Sequence, residues 1–447
     1  MALKSSVKQL IPSFLISAYH FSLAFMAALW YGFPSGSMIV IGVTGTKGKS
    51  STIFMCAKIL EEAGMKVAVS SSLMFKIKEN EWLNPYHMTM AGRFKLQEFL
   101  YQAKTAGCTH ALIETTSEGI KQYRHRFINF DVAAFTNLSP EHIEAHGGFE
   151  NYKQAKGKLF AALEQARRKT LSGKQAEKIS VVNMDDEHAA YFSGFKADKK
   201  YGFSIKGACK GAGGGDTVCV FASAVKVDAS GIAFTADDVS FSLHVLGEFN
   251  IYNAFAAAVI AKSLGVDFNA ASAALKKIEE IPGRMKFVRE GQKFTAIIDL
   301  AHTPSSFEGA FGMLATLKQP HGRIIAVFGS AGGGRDKWKR PELGKIAARY
   351  CDYIILTNED SYDEDPDAIC AAIAEGISAA GFHGVLETIQ DRRKAIRTAV
   401  DKARWNDIVI FLGKGTEQTM VTKEGPLPWN EEGIVIEEIR NMLYDRK

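Results

Sequence analysis

The sequence predicts an α/β protein: a central phosphate-loop domain with a parallel sheet, a Rossmann-like C-terminal α/β domain, and a short apolar helix in front. Three observations carry this reading. A β-branched apolar run, Met38–Val43, ends in a glycine-rich loop and is followed by a helical pattern. Further short apolar runs follow at Val67–Val69, Ala111–Ile113 and Val132–Phe135, the rhythm of buried parallel strands. The pattern breaks at Ile281-Pro282-Gly283, then restarts with strands at Thr295–Asp299, Ile324–Phe328, Tyr353–Leu356 and Ile408–Phe411.

These breaks divide the chain into residues 1–37, 38–280 and 281–447, and its 447 residues suffice for a core in each larger part. In the first part, Gln9 to Thr46 holds no Asp, Glu, Lys or Arg. Leu10–Phe33 is long enough to span a bilayer, yet Ser13, Ser17, His20 and Ala24 form one small, weakly polar stripe. That stripe favours a helix docked on protein or lying on a membrane surface over a true span. Thr52–Ala63 reads as a helix closed by Gly64, and Asn250–Leu264 as an alanine-rich helix. Between them, the alternating segments from Val218 to Val245 read as an antiparallel insertion.

Composition narrows the class. A hydrophobic fraction of 47% and a charged fraction of 23% describe a globular protein, and a net charge of +5 leaves no nucleic-acid footprint. The six cysteines lie scattered without a Cys-x-x-Cys pair, which argues against zinc and disulfides and for a reducing cytoplasm.

The loop Gly42-Val43-Thr44-Gly45-Thr46-Lys47-Gly48-Lys49-Ser50-Ser51 carries the chemistry. Its glycines let backbone N–H groups turn onto phosphate oxygens, Lys49 supplies a cation, and Ser50 can hold Mg²⁺. Gly42 lies one residue farther from Gly48 than the common phosphate-loop spacing allows. This form resembles that of the Mur ligase family, and Ser50 directly after Lys49 separates it from the related folylpolyglutamate synthetases. Downstream, Glu114-Thr115-Thr116-Ser117-Glu118 is similar to the family's E-x-S-S-H element, and Thr136–His142 to its T-N-L-x-x-D-H segment. Tyr152–Lys156 matches Y-x-x-A-K, Leu246–Ala254 matches L-G-x-F-N-x-x-N-A, and Pro282–Met285 and Asp299–Pro304 resemble P-G-R-M and D-Y-A-H-x-P. Val327–Pro341 and Leu412–Glu417 resemble stretches of the branch that adds the third residue of the muramoyl peptide.

The resemblance implies an ATP-dependent amide-bond ligase of peptidoglycan synthesis, working through an acyl phosphate on a muramoyl dipeptide. It implies ATP held by Gly45–Ser51, Asn250, Asn253, Arg284 and Asp299. It also implies two Mg²⁺ held by Ser50, Glu114, His142 and a carbamylated Lys156, with Lys49, Glu114, His142 and Lys156 as the catalytic set. Thr89, Thr116, Ser117 and Arg124 match positions that contact the muramoyl peptide. Arg335, Glu359, Asp360, Gly413 and Glu417 match the amino-acid end. Where diaminopimelate-adding relatives carry D-N-P-R, this chain has Glu359-Asp360-Ser361-Tyr362, a more acidic site suited to lysine or another diamine. Only residues 1–37 stand before the phosphate loop's strand, where the family has a uridine-binding domain, so a lipid-linked acceptor is an alternative. Polyglutamate-, folylpolyglutamate- or cyanophycin-type ligation and a catalytically silent scaffold are the others. A monomer is expected, touching the membrane surface through residues 10–33 if at all.

Overall fold

The computed structural model describes residues 12–84, 86, 88–141, 143–207, 209, 217–228 and 230–445. His142, the expected second metal ligand, lies outside the described residues.

The central unit is a nine-stranded sheet. Its strands are β1 (Ile39–Thr44), β2 (Val67–Ser70), β3 (Met74–Ile77), β4 (Asn80–Leu83), β5 (His110–Glu114), β6 (Val132–Phe135), β7 (Ile179–Asn183), β8 (Lys199–Ser204) and β9 (Thr217–Phe221), in the order β9-β8-β7-β6-β1-β5-β2-β3-β4. Neighbours pair in parallel from β9 to β2, and β3 and β4 close one edge antiparallel. The apolar runs of β1, β2, β5 and β6 are buried on both faces, as parallel strands between helices must be. Thr217–Phe221 therefore joins the main sheet in parallel, against the expected antiparallel insertion. The expectation holds only for β10 (Ser223–Asp228), β11 (Gly231–Ala236) and β12 (Val239–Leu243), a separate antiparallel sheet.

A second expectation fails at the same place. Cys209 and Cys219 form a disulfide. Pairing of β8 with β9 sets Cys219 opposite Gly202, and the absent side chain there leaves room for Cys209 to come alongside. Strand register decides this proximity, and cysteine spacing does not reveal it. The other four cysteines are free and buried.

The second unit is a six-stranded sheet of β13 (Lys286–Val288), β14 (Thr295–Asp299), β15 (Ile324–Phe328), β16 (Tyr353–Leu356), β17 (Val385–Thr388) and β18 (Ile408–Leu412), ordered β13-β14-β18-β15-β16-β17. Only β13 runs antiparallel. The sequence pattern marks four of these strands. It passes over β13, which is three residues long, and β17, an edge strand whose Val385 and Leu386 are exposed.

Helix α1 (Ser13–Trp30) packs on the central unit against α3 (Arg93–Thr105), while α2 (Lys49–Glu62) follows the phosphate loop. Ala24, Ala27 and Ala28 of α1 are buried, and Ser17 and His20 are half-buried, so the weakly polar stripe from Ser17 to Ala24 faces protein. Among the described residues no helix is long and apolar enough to cross a membrane.

Beneath the sheet, Asp131 accepts from Lys169 at 2.5 Å, from Lys178 at 2.9 Å and from the backbone of Val40 at 2.8 Å. All three side chains are buried, and the cluster ties the entry of β1 to that of β6. It clamps the strand that delivers the phosphate loop.

Candidate active site

β1 ends at Thr44, and the chain turns at Gly45 (φ +150°) and Gly48 (φ +77°) before α2 begins at Lys49. A Cβ at Gly45 would collide with Thr136 Oγ1, and one at Gly48 with Asn253 Oδ1, so both positions demand glycine. Asn137 holds the loop from the neighbouring strand end: its Oδ1 accepts from Lys47 N at 3.0 Å and its carbonyl from Thr46 N at 2.8 Å. The result is a row of backbone amides at a helix N-terminus, a seat for an anion.

The loop forms one wall of a cavity of about 500 Å³ between the two sheets. Thr46, Lys47, Gly48, Lys49, Ser50, Ser51, Thr89, Glu114, Thr116, Ser117, Lys156, Asn253, Arg284, Asp299 and Arg335 all line it, so most of the expected residues meet in one place. Lys49 Nζ donates to Thr46 O at 2.8 Å and stands 3.9 Å from Glu114 Oε1. Glu114 Oε2 accepts from Ser50 Oγ at 2.8 Å and from Ser72 N at 2.8 Å. Two oxygen donors thus stand together where phosphates would lie, a set that suits a hard cation such as Mg²⁺. Lys156 is fully enclosed and donates to Gly45 O at 2.6 Å. Burial, reinforced by the nearby Lys49, holds its amine well below the usual lysine range. Burial also lowers Lys47 to about 8.

Contacts cross the cavity. Lys47 Nζ donates to Ser305 Oγ, Glu144 N donates to Asp336 Oδ1 at 3.4 Å, and His302 Nε2 stands 3.8 Å from Glu141. The two units are closed on each other around the cavity.

Several expected residues stand elsewhere. Gly45 does not line the cavity, and Asn250 is buried, its Nδ2 donating to Leu246 O at 2.7 Å and its Oδ1 accepting from Asn253 Nδ2 at 2.9 Å. Asn250 thereby orients Asn253, and the residue at the helix N-cap is Glu248. Asp299 lines the cavity, yet both its oxygens take backbone N–H groups, from Met285 at 2.8 Å and Ala301 at 2.6 Å. Arg124 is turned away: its guanidinium binds Met90 O and Gln122 Oε1.

The amino-acid-end residues gather beside a smaller hollow of about 50 Å³, which shares Glu141, His302, Thr303 and Arg335 with the main cavity. Glu359 lines it and packs against Gly413, where any Cβ would strike its carboxylate. Burial raises Glu359 to about 7, against the pull of Lys339 and Arg392. Asp360 is committed internally: it accepts from Lys414 Nζ at 2.9 Å and from Val421 N at 2.8 Å. Glu417 accepts from the same Lys414 ammonium at 2.6 Å.

Sequence reasoning passed over Ser72, whose hydroxyl is 2.7 Å from that of Ser50, and Asn137 and Ser305. Ser72 had a signal: it closes a serine run just past the carboxyl end of β2, two strands from the phosphate loop.

Comparison with known proteins settles the family. The description "Mur ligase middle domain" matches residues 43–261, and "Mur ligase, glutamate ligase domain" matches residues 283–415. A UDP-N-acetylmuramyl-tripeptide synthetase of Roseiflexus sp. (strain RS-1) is 37% identical over 94% of this chain and 82% of its own length. The chain belongs to the Mur ligase family. As a Mur ligase it is an ATP-dependent amide-forming enzyme. A solved UDP-N-acetylmuramoyl-L-alanyl-D-glutamate–2,6-diaminopimelate ligase has 28% identity and a TM-score of 0.58, covering 91% of this chain and 79% of that one. The folylpolyglutamate synthase of Mycobacterium tuberculosis, solved with ADP and AMPPCP, shares the fold at a TM-score of 0.66 and 14% identity, over 95% of each chain.

Proposed function

We propose that this Mur ligase adds a diamino acid to a muramoyl dipeptide in the cytoplasm, as a monomer, with ATP and Mg²⁺. The observation that carries the reading is the joining of two hollows: the phosphate-loop cavity opens, through Arg335 and His302, onto the pocket of Glu359. ATP would lie along Gly45–Ser51, with Asn253, Arg284 and Asp299 at its far side. Ser50 and Glu114 would hold one Mg²⁺, and Lys156 as a carbamate a second. Bound there, Mg²⁺ supplies charge neutralisation for phosphoryl transfer to the dipeptide carboxylate.

The chain's own residues do the rest. Lys49 and the loop amides stabilise charge on the transferred phosphoryl oxygens. Enclosed at Gly45 O, the low-pKa amine of Lys156 is the form able to take up CO₂. Thr89, Thr116 and Ser117 border the cavity where the dipeptide would enter. Arg335 faces both hollows and can pair with the incoming amino acid's carboxylate.

At the distal end the geometry sharpens specificity. Lys414 already neutralises Asp360, which leaves Glu359, lining the hollow together with Lys339, as the carboxylate we assign to a second ammonium group. Lysine or a similar diamine fits this better than glutamate, whose acidic end would face Glu359. In an ATP-turnover assay with a panel of amino acids, lysine-like diamines are expected to stimulate phosphate release most. Stimulation by diaminopimelate alone, or by glutamate alone, contradicts the assignment. Glu359 is protonated below about 7 and ionised above it. The KM for the diamine should therefore fall as pH rises through 7, and Glu359→Gln should flatten that slope.

A further inference from the structure

Helix α1 seats itself on the protein by alanines and turns large apolar side chains outward. Phe14, Leu15, Tyr19, Met26, Leu29 and Trp30 are all exposed, with Trp30 at 78% and Phe14 at 68%. The spacing 15, 19, 22, 26, 30 puts one stripe along the whole helix, about 27 Å long at ~1.5 Å per residue. Isolated exposed apolar residues need no explanation; a continuous row of this size does.

We propose that this stripe docks the protein on an anionic lipid surface, with α1 lying flat in the headgroup region. Charge complementarity favours this occupant. Residues 1–60 contain no Asp or Glu, and Lys4 and Lys8 precede the helix in sequence. Two arginines border the patch: Arg93 reaches His20 Nδ1 at 2.5 Å, and the Arg126 guanidinium lies 5.9 Å from the Phe21 ring. An apolar stripe on a segment without acids, with Arg93 and Arg126 beside it, fits negatively charged lipid, where each basic group near the surface adds to binding. Tyr19 and Trp30 carry the amphipathic rings that settle at headgroup level. A protein partner fits less well, because the stripe offers only the Tyr19, Ser22 and Trp30 polar groups and no charge. Protein interfaces surround their apolar centre with hydrogen bonds and a polar rim. The alanine face is already occupied by the protein, so the helix presents lipid with one side only.

Flotation with vesicles tests this on the full chain. It is expected to float with vesicles of phosphatidylcholine mixed with phosphatidylglycerol, and weakly with phosphatidylcholine alone. Leu29→Glu combined with Trp30→Glu should lower vesicle binding by at least ~10-fold, since each change removes apolar contact and adds repulsion. Both side chains are exposed, so the thermal unfolding midpoint should stay unchanged, showing that the variant folds. Failure of the unaltered chain to float at either composition overturns the proposal. So does a doubled mass in light scattering that the paired variant abolishes, which would assign the stripe to a second copy of this chain.

Discussion

Lys49→Ala is expected to lower ATP turnover by about 10²–10³-fold, measured as phosphate release at saturating substrates. Lys49 opens α2, its Nζ is fixed by Thr46 O at 2.8 Å, and it stands 3.9 Å from Glu114. That placement aims the Lys49 side chain at the space over the loop amides. Little of the fold leans on it, because its side chain borders the cavity and touches no core cluster. The unfolding midpoint should therefore hold while kcat collapses. Unaltered turnover in the variant would mean that this loop does not serve phosphoryl transfer.

The largest effect on stability is expected at Arg392. Its guanidinium is wholly buried against Glu431, with Nη2 2.5 Å from Oε1 and Nε 3.0 Å from Oε2. It also donates to Leu412 O at 2.8 Å and Asn358 O at 3.4 Å, binding together the strand ends that carry Gly413 and Glu359. Arg392→Met leaves the Glu431 carboxylate buried without its cation. Such a loss costs about 3–5 kcal/mol, and the unfolding midpoint should drop by roughly 10 °C. Pairing it with Glu431→Leu should recover part of the stability, because the stranded charge is then gone. Diamine affinity should not recover, since the tie to Asn358 and Leu412 stays broken. A single variant as stable as the parent contradicts this account of the second unit.

How much of this was legible in the sequence depended on distance along the chain. The phosphate loop reads directly because its glycines, Lys49 and Ser50 are contiguous and their strand and helix adjoin. The βα rhythm gave most buried strands, since strands covered on both faces appear as unbroken apolar runs. Pairings between distant segments did not show. Asp360 reads as an acceptor for substrate, yet Lys414, far along the chain, occupies it and leaves Glu359 to face the hollow. Asn250 reads as a ligand for a heterocycle, whereas its amide is used to orient Asn253. Thr217–Phe221 reads as antiparallel, and its partner β8 instead runs parallel and draws Cys219 to Cys209. For Asp360 and Thr217–Phe221 the deciding partner lies on another element, where local pattern carries no record of it; for Asn250 it lies one turn along the same helix.

The family resemblance stands on different ground from the specificity. Motifs spread over both units led to a Mur ligase, and the matched domains and the relative at 37% identity agree. The proposed choice of amino acid rests on one pocket, which Glu359 lines and Asp360 does not.

Mass spectrometry of the products formed from ATP, a mixed amino-acid panel and UDP- or lipid-linked muramoyl dipeptide tests the central claim most directly. The account predicts an acceptor heavier by one diamino acid less water, formed in step with ADP and phosphate. An acceptor extended by glutamate alone or by diaminopimelate alone, or ATP cleavage with no new amide, would contradict it.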